Sequence, residues 1–271
     1  RRNYLHILNP LTEDQTIMRT SLVPGLIEAT VHNIARQVKS LKLFEVGRIY
    51  IKSDRQDLPL EPEILAALWT GTRSDTSWHQ GEIPCDFYDI KGCVEALIRA
   101  LKIDKVRFTK LPDESCEYTR PGYTAQIIIA GRQVGIVGEI HPLVRDNFDL
   151  KQTAFIFELE LDKIMSLIPS DAVSRPIPRF PAIYRDITII IDRGIETQTV
   201  LQAVDDIGEN LVERLHLFDV FEGDPIAAGK KSVSFRVTYR SSTKTLEDDD
   251  VNDLHRAITD KLLKAFGATL P

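Results

Sequence analysis

After Lys230-Lys231, the stretch Ser232-Val233-Ser234-Phe235-Arg236-Val237-Thr238-Tyr239-Arg240 alternates without a slip. Val233, Phe235, Val237 and Tyr239 share one parity; Ser234, Arg236, Thr238 and Arg240 share the other. Successive side chains of a strand point to opposite faces, so this segment predicts a strand with one buried and one solvent-facing side. Working outward, Asp186 to Asp192 predicts a strand, Thr197 through Val200, Leu201, Val204 and Ile207 a helix, and Val212 to Glu222 a strand. Thr245 predicts a helix cap, with Asp248 as its capping-box partner and the helix running to about Phe266. The acidic run Glu247-Asp248-Asp249-Asp250 then falls in the first turn, where the helix dipole favours negative charge. That explanation is preferred to a metal site, whose ligands would have to converge rather than splay around a helix. A last short strand is expected near Gly267.

The order βαββαβ predicts a ferredoxin-like split, a sheet covered by helices on one face only. The apolar parity of the 232–240 strand should therefore meet the helices, and the Ser/Arg/Thr/Arg set should face out. In the preceding strand, His216 and Phe218 hold one parity, Leu217 and Phe221 the other, and the sequence leaves open which faces out. An open sheet with arginines and an aromatic suits single-stranded RNA, because guanidinium groups meet phosphate and flat groups stack on bases. The alternative is a solvated face whose arginines serve solubility, since this fold hosts many functions.

Upstream, Pro169, Pro176, Pro178 and Pro181 crowd one stretch. Proline fixes φ and removes a ladder donor, so residues 169–181 predict an extended linker. Residues 1–168 then form a first domain and 182–271 a second. In the first, Thr20 and Ser21 precede a helix with Pro24 in its first turn and apolar residues spaced helically as far as Val38; this helix is expected to pack on the core, the alternative being that part of its face meets a partner chain. Phe44 to Ile51 alternates as a strand, and Ile64 to Trp69 reads as a buried strand. Asp86 to Asp89 leads into a helix from Ile90 to Leu101. Ala125 to Ile129 and Gln133 to Ile140 flank Ala130-Gly131-Arg132 as a hairpin, and Thr153 to Leu161 is a further strand. The predicted class is α+β with antiparallel sheets.

The 271 residues carry a formal charge of −6. Residues 175–271 hold 13 Lys+Arg against 16 Asp+Glu, so no uniformly basic coat exists and any phosphate recognition must be local. Cys85, Cys93 and Cys116 make an odd set without a CxxC, which predicts a reduced, cytoplasmic setting. No apolar run is long enough to span a membrane. The start at Arg1-Arg2-Asn3 suggests a fragment of a longer protein. Trp78-His79-Gln80-Gly81-Glu82 reads as a polar loop rather than a zinc site, and His141-Pro142 lacks any nucleophile motif beside it. No metal site and no catalytic residue is predicted.

Longer stretches carry a resemblance. Asn9-Pro10-Leu11-Thr12-Glu13-Asp14, Met18 to Leu26, Phe44 to Tyr50, Phe87-Tyr88-Asp89-Ile90-Lys91-Gly92 and Val137-Gly138-Glu139-Ile140-His141-Pro142 resemble the class II synthetase-like core of the bacterial phenylalanyl-tRNA synthetase β-subunit family. Phe180 to Asp186, Phe218-Asp219-Val220-Phe221, Lys230 to Phe235 and Thr245-Leu246 resemble the ferredoxin-fold anticodon-binding domain that ends that subunit. The resemblance implies a non-catalytic chain that scaffolds a catalytic α subunit in an α2β2 assembly and binds tRNA(Phe), with ATP and Mg2+ used by the holoenzyme. It implies tRNA contacts among Arg185, Lys230, Lys231, Arg236 and Arg240, and a partner interface around Arg19, Leu22 and Leu26. Catalytic members of the class place an arginine after the strand that here continues Tyr50-Ile51-Lys52-Ser53, and another in a glycine-rich motif that here, from Gly135 to His141, has none. Pro271 stands where the family often ends in Arg. The alternatives are a self-sufficient single-chain synthetase, against which those missing arginines count, and a regulatory or interaction protein that reuses the fold without tRNA.

Overall fold

The structure, a computed structural model, describes the chain apart from residues 1–3, 13–15, 54–57, 104–105, 114, 171–176 and 206–209. It divides into two compact units, Arg1–Ala172 and Val173–Pro271. Part of the predicted linker and Ile207 lie outside the described residues.

The first unit runs α1 (Val23–Ile34), β1 (Leu41–Arg48), β2 (Glu63–Thr70), α2 (Phe87–Ala100), β3 (Val106–Lys110), β4 (Thr119–Ile129), β5 (Arg132–Ile140), α3 (Pro142–Asn147), β6 (Ala154–Glu160) and α4 (Leu161–Met165). Its six strands form one sheet in the order β1-β2-β6-β5-β4-β3, with every named pair antiparallel. Both faces of that sheet are covered. Ile64, Ala66 and Leu68 enter one core with Leu22, Val23, Leu26 and Ile27 of α1. Leu65, Ala67 and Trp69 pack on a second core containing Ile90, Val94 and Ile98 of α2. Two covered faces explain why β2 and β6 read as continuous apolar runs rather than as alternation. Gly135 is required by a close approach: a Cβ there would sit 2.1 Å from the Glu158 carbonyl oxygen.

Glu158 of β6 ties α1 to the sheet. Its carboxylate accepts from Ser21 Oγ at 2.8 Å and from the Leu22 N–H at 3.2 Å, and Tyr118 Oη donates to the other oxygen. Ser21 Oγ in turn accepts from the Val23 N–H at 3.1 Å, a local turn just before the N-cap residue Leu22. The helix is shorter than its apolar spacing predicts. Arg36 and Gln37 donate to carbonyls three residues back, and Gln37 takes φ +69°, which ends the helix before Val38. The first strand is also shifted: pairing with β2 spans Leu41 to Arg48, and Ile51 makes only an isolated bridge to Leu60.

The second unit runs β7 (Ile183–Asp192), α5 (Thr197–Asp205), β8 (Val212–Phe221), β9 (Lys230–Tyr239) and α6 (Asp248–Phe266). The three strands lie in the order β7-β9-β8, all antiparallel. The predicted fourth strand shrinks to one bridge between Ile190 and Thr269, on the far side of β7 from β9. One face packs on Val200 and Val204 of α5 and Val251, Ile258 and Leu262 of α6. Val233, Phe235, Val237 and Tyr239 are fully buried there. The predicted Thr245 cap moves two residues on. Glu247 is the N-cap residue, and its N–H donates to the Asp250 carboxylate at 2.9 Å. The reason is Leu246, which is buried in the same cluster as Val251 and so fixes the entry of the chain as a hydrophobic staple.

Among the described residues no helix is long and apolar enough to cross a membrane. We expect Phe235→Ala to cost about 3–5 kcal/mol, the usual penalty for emptying a buried aromatic site. Urea unfolding followed by far-UV circular dichroism measures it, and a loss below about 1 kcal/mol would contradict a packed one-sided core.

Candidate nucleic-acid interface

The register of the second sheet settles which side chains share its open face. Residues directly opposite in an antiparallel pair point the same way. On β9 the outer set is Ser232, Ser234, Arg236 and Thr238. Opposite them on β7 stand Ile190, Thr188, Asp186 and Tyr184. On β8 they face Phe221, Asp219, His216 and Arg214. A bulge between Leu217 and Asp219 leaves Phe218 as the extra residue, and its ring lies 5.5 Å from the Arg236 guanidinium carbon. The parity left open by the sequence is thereby decided: Leu215 and Leu217 pack on the core, whereas His216 and Phe218 are exposed. The face presents Tyr184, Phe218 and Phe221 at 58%, 49% and 44% exposure, so three rings lie on a surface open to solvent.

The cations on this unit are not the free set that the sequence suggests. Arg236 faces out but holds Asp186 in a two-pronged pair, Nε to Oδ1 and Nη2 to Oδ2, both at 2.8 Å. Arg240 lies past the end of β9, where its Nε contacts both Glu213 oxygens at 3.0 Å and Nη1 donates to the Phe180 carbonyl. Lys230 pairs with Asp192 at 3.2 Å. Arg185 and Lys231, also named as tRNA contacts, occupy the inner parity, opposite Val237 and Ile191. Arg185 pairs with Asp248 at the start of α6, and Lys231 is buried. Among the described residues Arg214, exposed and opposite Thr238, is the cation of the open face without an acidic partner. Tyr184, Asp186 and Arg214 were not singled out by the sequence, and Phe221, left open with Leu217, joins the open face because the bulge shifts its parity. The alternation in β7 could have revealed Tyr184, but the Asp186–Arg236 pairing needs the register.

The partner-interface residues are corrected in the same way. Leu22 and Leu26 are 1% and 4% exposed, sealed in the chain's own core, and cannot meet a partner. Arg19 donates to the Arg48 carbonyl at 2.9 Å and to Glu45 at 2.7 Å, covering the free edge of β1. The exposed apolar side chains at that edge are instead Phe44 at 75% and Val46 at 50%.

Elsewhere in the first unit, Arg120 reaches the buried Glu139 carboxylate at 3.1 and 3.2 Å and lies 3.9 Å over the Tyr123 ring. The crevice beside it, lined by Leu111, Cys116, Arg120 and Gly122 among others, encloses about 10 Å³, room for roughly one water and no more. His141 Nδ1 accepts the Leu143 N–H at 3.1 Å and so caps α3. His79 contacts Ser77 Oγ at 3.1 Å in a loop whose Trp78 is exposed. No group of three or more His, Cys, Asp or Glu is arranged to hold a metal among the described residues.

Comparison with known proteins joins these two units to one family. Residues 1–161 match the phenylalanyl tRNA synthetase beta chain CLM domain, more than half of the chain. Residues 178–271 match the ferredoxin-fold anticodon binding domain. The chain belongs to the phenylalanyl-tRNA synthetase β-chain family. The phenylalanine–tRNA ligase beta subunit of Geobacter sulfurreducens is 36% identical over 270 residues, covering 100% of this chain and 34% of that one. The Symbiobacterium thermophilum subunit is 34% identical, covering 99% and 30%. The chain thus spans about a third of the length of these relatives. A pyrrolysyl-tRNA synthetase from Desulfitobacterium hafniense overlaps 60% of this chain and 52% of that one at 13% identity and a TM-score of 0.44, too loose to carry weight.

The Asp186–Arg236 pair has a pH signature. The hydrogen bonds from Arg236 hold the Asp186 carboxyl below its usual range, helped by the charges of Arg236 and His255. A depressed folded pKa means that its stabilisation is present above the unfolded carboxylate pKa and lost as pH falls through the folded value. Both partners are about half exposed, so the contribution is small. Carboxylate carbon NMR should show Asp186 titrating below an ordinary aspartate, and Arg236→Gln should return it to the ordinary range.

Proposed function

We propose that this chain serves as the tRNA-binding and scaffolding part of a phenylalanine–tRNA ligase, catalysing nothing alone. The holoenzyme would activate phenylalanine with ATP and Mg2+ on a separate α subunit, in an α2β2 assembly in the cytoplasm, and esterify tRNA(Phe). The observation that carries the RNA reading is the open face of the β7-β9-β8 sheet, where Tyr184, Phe218 and Phe221 stand exposed among the half-buried Ser232 and Thr238. Exposed rings stack on unpaired bases, and the hydroxyls between them can hydrogen-bond base edges. An anticodon loop offers both. The scaffolding reading is supported by the apolar Phe44 and Val46 at the edge of the first sheet, which we assign to the α-subunit contact in place of Leu22 and Leu26. In the first unit, the half-exposed Arg120 is already engaged by Glu139, an arrangement suited to structure more than to gripping a nucleotide.

Gel shifts with a tRNA(Phe) transcript should show binding by the intact chain, and Phe221→Ala should weaken it by about 1–3 kcal/mol, the worth of one base stacked on a ring. A chain that leaves tRNA unshifted at low salt would instead support an interaction protein on a borrowed fold. Co-expression with a catalytic α subunit should yield a co-purifying complex that Phe44→Asp disrupts. Phenylalanine-dependent ATP–pyrophosphate exchange should appear in that complex and be absent from the chain alone.

A further inference from the structure

The open sheet face binds its own charge. Arg236, at the centre of the face, is turned flat by two parallel bonds to Asp186 across the β7-β9 pair. Its plane lies beside the Phe218 ring. Lys230 and Arg240 at the two ends of β9 are matched with Asp192 and Glu213, and Asp219 adds a further carboxylate opposite Ser234. A phosphate approaching Arg236 would meet the Asp186 carboxylate already seated on both donors. A base approaching the same place would meet an apolar ring and a flat, neutralised guanidinium.

We propose that Asp186 is a specificity-determining residue of this face: by sequestering Arg236 it makes the sheet select unpaired bases and reject the phosphate backbone of a duplex. The proposal rests on the tRNA-binding reading above and deepens it. Phosphate contacts position a protein on nucleic acid without reading it, and they carry the salt dependence of binding. Base stacking carries little salt dependence. A face that kept Arg236 free would bind any duplex it met. With Arg236 paired, Arg214 is left to supply about one phosphate contact, a salt slope of roughly −0.7 on a single strand.

The test uses the intact chain, a tRNA(Phe) transcript, a short single-stranded RNA and a blunt RNA duplex of about 20 base pairs, each titrated across a salt series. Wild-type protein should bind tRNA and the single strand with a shallow slope and the duplex poorly. Asp186→Asn removes the countercharge while keeping the shape. It should tighten duplex binding roughly tenfold at low salt, the size of one charge-assisted contact, and steepen the slope by about one. The double variant Asp186→Asn with Arg236→Gln restores local neutrality and should return the duplex to wild-type behaviour. If wild-type protein binds tRNA but Asp186→Asn leaves duplex affinity and slope unchanged, the sequestration idea is overturned and the tRNA reading stands. If wild-type protein shifts neither tRNA nor the single strand, the tRNA reading falls and takes the inference with it. Should Asp186→Asn fail to fold, the wild-type slope decides: steeper than about −2 on the single strand means several free cations on the face and rejects the proposal.

Discussion

The second unit depends on one constraint: its sheet has a helical cover on one side only. Val233, Phe235, Val237 and Tyr239 surrender all their exposure to α5 and α6, and the pleat then forces Ser232, Ser234, Arg236 and Thr238 outward. A slip of one residue in β9 would bury Arg236 and expose Phe235. The same constraint makes β9 the central strand, bonded on both sides, so that both neighbours inherit its register. The open face is a consequence of core formation, and substitutions there leave the core intact.

The first unit solves the opposite problem. Its sheet is covered on both faces, by the α1 core and by the α2 core, so no broad polar face remains. Among the described residues its buried polar side-chain atoms are tied off locally, apart from Thr109 Oγ1 and Arg145 Nε. Glu158 takes the donors at the start of α1 together with Tyr118, and Glu139 takes Arg120. Burial and the neighbouring Glu158 charge push the Tyr118 hydroxyl well above its usual range, so it stays a donor to that carboxylate. A polar network tied off around two carboxylates in this way stiffens a core.

Much of the fold was legible because hydrophobic spacing reports burial directly. The alternation of β9 named its buried and open parities, and the apolar run of Ile64 to Trp69 named a strand buried on both sides. The failures have physical causes. For Leu22 and Leu26 the sequence favoured core packing but kept a partner contact open, because an amphipathic helix does not say what covers its apolar face; here its own sheet does. Thr245 looked like a cap because its spacing fits one, but burial of Leu246 sets the entry of the chain two residues later. β3 was missed because Val106 to Lys110 is short and lies at the sheet edge.

The sequence by itself determined the order of elements in the second unit, which side of β9 is buried, and the family resemblance that the comparisons then established. It did so because periodicity and local motifs are one-dimensional properties. Only the tertiary structure decided the charge state of the open face. Arg236 and Asp186 are 50 positions apart, as are Thr188 and Ser234 nearly so, and their meeting depends on the β7-β9 register and on nothing local to either. Whether a guanidinium is a free cation or half of a neutral pair is a matter of ångströms across a sheet, and composition carries no trace of it.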